Sequence, residues 1–137
     1  LQSSCWACGA LALSGVLNSC AGTQPVAGSL EGDELILPTN AFLAVDGSTK
    51  RYVVATHAQL KHPIAVFANP DGSYQALLMR CTHKGVELRV TGARLECNAH
   101  GSTFDHTGAV LEGPASAPLR TFSVHAYGGH VRIALNR

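Results

Sequence analysis

Charged and aromatic side chains are scarce in this chain. Of its 137 residues only 14% are Asp, Glu, Lys or Arg, and the formal net charge is +1. A net charge so close to neutral does not call for an acidic polymer or a nucleic acid as partner, so we expect none. Hydrophobic residues make up 46% of the chain, which is the composition of a globular protein with no bias towards disorder. Fourteen glycines, six prolines and few charged runs favour a single, turn-rich β domain.

The first thirty residues carry no charge at all, and Glu31 is the first charged side chain. Within them, Cys5–Leu17 is an apolar run with the length of a signal-peptide core, short for a full membrane span. It ends in Leu17-Asn18-Ser19-Cys20, which resembles a bacterial lipobox, where the cysteine is lipidated after cleavage. We expect residues 1–20 to form a short apolar helix that is a lipoprotein signal peptide or an uncleaved membrane anchor. An ordinary buried helix is the third alternative.

Residues 21–29 are small, polar and interrupted by Pro and Gly, so they predict a flexible tether, and the globular domain should span residues 30–137. Short runs rich in β-branched and aromatic residues then alternate with turn residues. The predicted β segments are Glu34–Leu37, Ala41–Val45, Arg51–Thr56, Ile64–Ala68, Tyr74–Met79, Val86–Val90, Arg94–Cys97, Ala109–Leu111, Leu119–Tyr127 and His130–Leu135. The predicted fold class is all-β.

Two short segments each supply one thiol and one imidazole. The first is Cys81-Thr82-His83-Lys84-Gly85, and the second is Cys97-Asn98-Ala99-His100-Gly101-Ser102-Thr103-Phe104. The residues Thr91-Gly92-Ala93 predict a hairpin turn, so the intervening residues should run out and back and return Cys97 to the neighbourhood of His83. Two thiolates and two imidazoles suit either a structural zinc ion or an iron–sulfur cluster. Common zinc modules pair cysteine with cysteine, whereas each segment here mixes the two ligand types.

The two segments resemble the boxes of the Rieske family, with CTHKG in the first and CxxHGSxF in the second. The resemblance implies one Rieske-type 2Fe–2S cluster, with Cys81 and Cys97 on the inner iron and His83 and His100 on the outer iron at the surface. Two neutral imidazoles in place of thiolates remove negative charge, which raises the reduction potential.

The resemblance also implies the surroundings of the cluster. Gly101 and Ser102 would contact it from the second box, and Pro114, in the triplet Gly113-Pro114-Ala115, would belong to a loop that covers it. The implied architecture is the Rieske fold, an antiparallel β-sandwich or barrel-like base with a cluster-binding subdomain inserted at about residues 78–116.

Several residues depart from the high-potential members of that family. Those members carry an extra cysteine in each box, joined by a disulfide, where this chain has Val86 and Ala99. They also place a serine and a tyrosine near the cluster sulfurs, and this chain keeps the serine as Ser102 but has Phe104 in place of the tyrosine. Lys84 stands where quinol-oxidising members usually carry leucine, and it favours a partner with an acidic or polar face.

These features predict a one-electron carrier with no substrate chemistry of its own, exported to the periplasmic or extracytoplasmic face of the membrane. Its expected partners are redox proteins, such as a cytochrome c or a larger oxidoreductase complex, with anchorage through residues 1–20 or lipidated Cys20. One alternative is a Rieske subunit of a quinol-oxidising cytochrome bc-type complex, and a second is the ferredoxin component of a Rieske-type oxygenase system.

Overall fold

The computed structural model describes residues 23–135, and the strands in that range form two sheets. The strands are β1 (Val26–Ala27), β2 (Ser29–Glu31), β3 (Glu34–Pro38), β4 (Tyr52–Thr56), β5 (Ile64–Ala68), β6 (Tyr74–Leu78), β7 (Arg89–Thr91), β8 (Arg94–Glu96), β9 (Thr103–Asp105), β10 (Val110–Glu112), β11 (Thr121–Tyr127) and β12 (His130–Ala134). One 3₁₀ helix, Thr39–Phe42, follows β3. The prediction of an all-β fold is confirmed.

The larger sheet has eight strands in the order β1-β4-β5-β6-β11-β12-β3-β2. Its strands pair antiparallel except β1 and β4, which are parallel. The two edge strands, β1 and β2, are separated along the chain by Gly28 alone, so this one segment joins both edges and closes the sheet into a barrel.

Gly28 makes that closure sterically possible. Its N–H donates a hydrogen bond to the carbonyl oxygen of Thr56 at 2.9 Å. A Cβ atom at this position would lie 2.7 Å from Cδ1 of Leu35 and 3.1 Å from the carbonyl oxygen of Ile36. Glycine therefore lets the backbone pass close to β3, which a larger residue would prevent.

The barrel core is built from alternate residues of its strands. In β4 Val53 and Ala55 are buried, and in β12 Val131 and Ile133 are buried, while their neighbours are more exposed. This period of two is the pattern that places one face of a strand in a core. Further buried members of this core are Leu35, Leu37, Phe42, Ile64, Val66, Ala76 and Leu135.

The smaller sheet, in the order β10-β9-β8-β7, lies in the chain between β6 and β11. It forms a second core in which Leu95 and Phe104 are fully buried. Ala65 and Phe67 of β5 belong to this second core, whereas Ile64 and Val66 of the same strand belong to the barrel core. Because β5 is covered on both faces, its sequence IAVFA is apolar throughout.

The turn between β9 and β10 is organised by the carboxylate of Asp105. It accepts hydrogen bonds from the Thr107 hydroxyl at 2.6 Å, the Thr107 N–H at 2.8 Å and the Ala109 N–H at 3.0 Å. Partial burial raises the pKa of Asp105, but the bonds from Thr107 and Ala109 outweigh burial and hold this pKa below its usual value.

The structure differs from the predicted elements in several places. Ala41–Val45 is predicted to be a β segment, but Ala41 and Phe42 belong to the 3₁₀ helix and the residues after them form a loop. The ring of Phe42 packs 5.0 Å from the ring of Tyr74, and this contact holds the start of the loop against the barrel. The tether expected over residues 21–29 overlaps β1 and the first residue of β2, because Val26 packs on the barrel core. The strand β9 was not expected.

The expected apolar helix and the signal or anchor segment, residues 1–20, lie outside the described residues. Within residues 23–135, no helix has the length and apolar character that crossing a bilayer requires.

Candidate metal centre

The first Cys/His loop leaves the end of β6 and folds into a tight turn. The N–H of Cys81 donates to the carbonyl oxygen of Val86 at 2.8 Å, and the N–H of Gly85 donates to the carbonyl oxygen of Cys81 at 2.8 Å. Gly85 has a φ of +74°, in the left-handed region that favours glycine. An isolated bridge between Arg80 and Glu87 closes the base of the loop.

The second loop, after β8, repeats this backbone pattern. The N–H of Cys97 donates to the carbonyl oxygen of Ser102 at 2.9 Å, and the N–H of Gly101 donates to the carbonyl oxygen of Cys97 at 2.9 Å. Gly101 also has a positive φ, +81°. In both loops the cysteine is bonded to the residues four and five positions later, so the two loops present their cysteines in the same backbone setting.

The two cysteines lie inside the second core, and the two histidines lie outside it. Cys81 and Cys97 are buried and not disulfide-bonded. Burial opposes ionisation of the Cys97 thiol, but the backbone N–H groups of His100 and Ala99, together with the Cys81 thiol, outweigh burial and lower its pKa. Hydrogen bonds from amide groups stabilise the thiolate form of cysteine, which is the form that binds a metal.

His83 and His100 are exposed side by side. Their ring centroids are 4.9 Å apart, and the rings meet edge to face at 85°. Within residues 23–135, no three His, Cys, Asp or Glu side chains are grouped so as to hold one metal ion. A two-iron cluster divides its ligands between two ions and needs only two protein ligands on each.

A loop from Gly113 to Ala117 is bonded to both Cys/His loops. The hydroxyl oxygen of Ser102, which is fully buried, accepts a hydrogen bond from the N–H of Ala115 at 2.9 Å. The hydroxyl of Thr82 donates to the carbonyl oxygen of Ala117 at 2.7 Å. Sequence reasoning assigned no role to Thr82, and only its place between Cys81 and His83 could have drawn attention to it.

The residues that depart from high-potential Rieske proteins occupy two environments. Phe104 is fully buried in β9, where it pairs with Leu95 in the second core. Val86 and Ala99 are exposed on the two loops, and Lys84 is exposed next to His83. Pro114 is exposed in the loop that Ser102 and Thr82 hold in place.

The described residues thus form a β-barrel with an inserted four-stranded sheet, whose two loops carry two buried cysteines and two adjacent exposed histidines. Two thiols and two imidazoles are the donor set of an iron–sulfur protein with mixed Cys/His ligands. Residues 42–123 match the family model described as the Rieske [2Fe-2S] domain, which is more than half of the chain. The chain belongs to the Rieske family, and the predicted cofactor, one Rieske-type 2Fe–2S cluster, is confirmed.

Two kinds of protein are similar in sequence to this chain. It is 33% identical over 78 residues to the ferredoxin subunit of 3-phenylpropionate/cinnamic acid dioxygenase from Escherichia coli (strain K12), covering 53% of this chain and 74% of that protein. It is 24% identical over 102 residues to cytochrome b6-f complex iron-sulfur subunit 2 from Nostoc, covering 72% of this chain and 56% of that protein.

Among solved structures, it is similar to the cyanobacterial plasma membrane Rieske protein PetC3 from Synechocystis. The two are 29% identical with a TM-score of 0.54, covering 61% of this chain and 86% of PetC3. Naphthalene 1,2-dioxygenase, at 20% identity and a TM-score of 0.60 over 75% of this chain and 26% of its own, shares the fold. The family match and the sequence relatives together show that the chain is an electron carrier of the Rieske type.

Proposed function

We propose that Cys81, Cys97, His83 and His100 are the four ligands of the cluster. The residue types support this, because a Rieske centre takes two thiolates on one iron and two imidazoles on the other. The burial of the two cysteines and the exposure of the paired histidines also agree with an inner and an outer iron. Once bound, the cluster supplies reversible one-electron chemistry, and the surface imidazoles give the electron its route to a partner.

The chain's own residues would hold and shield that centre. The backbone N–H groups directed at Cys97 would stabilise negative charge on sulfur, more so in the reduced state. The loop Gly113–Ala117, with Pro114 at its exposed side, would limit the access of water, since it is bonded to Ser102 and to Thr82. Gly101 would allow the second box to turn tightly around the cluster.

The chain would carry single electrons between redox proteins at the periplasmic or extracytoplasmic face of the membrane. Residues 1–20, or lipidated Cys20, would anchor it there, and the similarity to a plasma membrane Rieske protein supports that location. The exposed Lys84 beside His83 favours a partner with an acidic or polar face, such as a cytochrome c or a subunit of a larger oxidoreductase complex.

The observation that carries this role is that Ser102 and Phe104, both in the second Cys/His segment, are fully buried. By the Rieske resemblance these are the two positions whose hydroxyl groups bond to sulfur in high-potential members, and here only Ser102 would supply such a hydroxyl. The expected potential is then intermediate, about 0 to +200 mV within the Rieske range. The second candidate, the ferredoxin of an oxygenase system, is favoured by the 33% identity to a dioxygenase ferredoxin subunit.

A redox titration followed by low-temperature EPR of the reduced protein separates these roles. A rhombic Rieske signal with a midpoint above about 0 mV supports the membrane-linked carrier. The same signal with a midpoint of about −150 mV would instead favour the ferredoxin of an oxygenase system. A midpoint of about +300 mV would instead favour the quinol-oxidising complex. The similarity to a cytochrome b6-f subunit supports that alternative.

A further inference from the structure

The strand directions place the start of the described chain and the Cys/His loops at opposite ends of the barrel. Because β4 and β6 both pair antiparallel with β5, they run in the same direction. The hydroxyl groups of Thr23 and Tyr52 are 3.2 Å apart, at the beginning of β4. Cys81 follows the far end of β6. The five residues of β6 alone separate the two ends by about 13 Å.

The end of the barrel near Thr23 carries exposed apolar side chains, and we refer to it as the basal end. Leu43 is 51% exposed, Tyr127 is 79% exposed, and Val45 is fully exposed. Leu43 and Val45 lie on the loop between β3 and β4, and Tyr127 ends β11. The N–H and the hydroxyl of Thr39 both donate to the carbonyl oxygen of Gly129, so the helix before that loop is held to the β11–β12 turn.

The charges at the basal end are balanced. Lys50 and Arg51 precede β4, while Asp46 and Asp71 lie in the turns at the same end. Side-chain and backbone hydrogen bonds from Ser48 lower the pKa of Asp46, so its carboxylate is charged at neutral pH. A strongly acidic or basic partner surface is therefore not matched, which leaves the exposed apolar side chains as the contact surface that this end offers.

We propose that the basal end rests on the lipid bilayer, with Leu43 and Val45 at the boundary of the acyl chains and Tyr127 among the headgroups. This inference depends on the proposed membrane anchorage. The residues before Thr23 are uncharged, and Cys20 is only three residues away, which is a reach of about 10 Å. Either form of the anchor would hold the basal end against the membrane. The Cys/His loops then face away from it, towards a partner in solution or in the membrane-distal part of a complex.

Depth-dependent quenching by brominated lipids tests this orientation in the full chain reconstituted in phosphatidylcholine vesicles. Trp6 is the chain's single tryptophan, so a Trp6→Phe background allows a probe to be placed elsewhere. The test variant adds Val45→Trp at the basal end, and the matched control adds Val86→Trp on the first Cys/His loop. Both positions are exposed valines. The ratio of emission in brominated and ordinary lipid cancels quenching by the cluster itself.

The expected result is severalfold quenching at position 45 and none at position 86, because an interfacial side chain lies about 5–10 Å into the headgroup and acyl boundary. Vesicle flotation is measured on the same samples. If the protein floats with vesicles but the probe at position 45 is not quenched, or both probes are quenched equally, the orientation is wrong while the anchorage stands. If the protein does not float with the vesicles, the membrane anchorage is refuted, and the proposed orientation is refuted with it.

Discussion

Replacing Ser102 with alanine should lower the reduction potential of the cluster. The Ser102 side chain is fully buried, and its oxygen already accepts a hydrogen bond from the N–H of Ala115 at 2.9 Å. Because oxygen is the acceptor in that bond, the hydroxyl proton remains available for a second one. The Rieske resemblance assigns that proton to a sulfur of the cluster or of a ligand. Such a bond is stronger in the reduced state, which carries more negative charge.

The size of the shift follows from the strength of such a bond. A hydrogen bond to a charged group contributes about 1.5–3 kcal/mol. If about half of this differs between the oxidised and reduced states, the difference is about 0.8–1.5 kcal/mol. In a one-electron couple about 59 mV corresponds to a tenfold change in the equilibrium constant, or 1.4 kcal/mol, so the potential should fall by about 30–65 mV.

Ser102→Ala also removes the bond to Ala115, and Thr82→Val is the control for that second effect. The Thr82 hydroxyl holds the same loop through Ala117 at 2.7 Å, so the valine variant loosens the loop and leaves the Ser102 hydroxyl in place. Protein-film voltammetry of both variants should show the larger decrease for Ser102→Ala. A potential that is unchanged or higher in Ser102→Ala, or an equal decrease in Thr82→Val, would refute a hydrogen bond from Ser102 to sulfur.

Three further predictions concern the ligands, the barrel and a turn. His83→Ala or His100→Ala should abolish the Rieske EPR signal and the visible absorption; an unaltered spectrum would remove either residue from the ligand set. Gly28→Ala should destabilise the barrel by about 1–3 kcal/mol in urea unfolding through overpacking, whereas Ala27→Ser on the exposed neighbour should change little. The lowered pKa of Asp105 means that its carboxylate contributes stability above the unfolded pKa of about 3.9, and the contribution is lost as pH falls through the folded pKa. Asp105→Asn should therefore lower the unfolding midpoint at pH 7 and approach the parent protein below about pH 4; a constant gap at all pH values would contradict this.

The parts of the molecule that were predictable from sequence are those specified within one short segment. The two boxes stand out because a thiol, an imidazole and a glycine recur within five residues in each. The strand β5 was predicted with its observed bounds, Ile64–Ala68, because an apolar run of five is closed by the turn residues Asn69-Pro70. Local chemistry decides these features, so no knowledge of distant contacts is needed.

The features that sequence could not supply depend on residues far apart in the chain. Closure of the barrel relies on Gly28 passing β3 while it bonds to Thr56, and nothing near Gly28 indicates either neighbour. The bond from Thr82 to Ala117 spans 35 residues. Ala41–Val45 has the composition of a strand, but the packing of Phe42 on Tyr74 overrides that local preference.

The position of the first Cys/His loop is fixed by the strand that precedes it. On β6 Ala76 belongs to the barrel core, whereas Leu77, and Met79 just beyond the strand, belong to the second core. A strand that is packed on both faces is a more rigid support than a loop, so packing in both cores fixes the position of Cys81. Lys84, three residues further and exposed, has no part in that support. The exposed side of the loop can therefore change its charge to suit a redox partner while the buried cysteine stays in place.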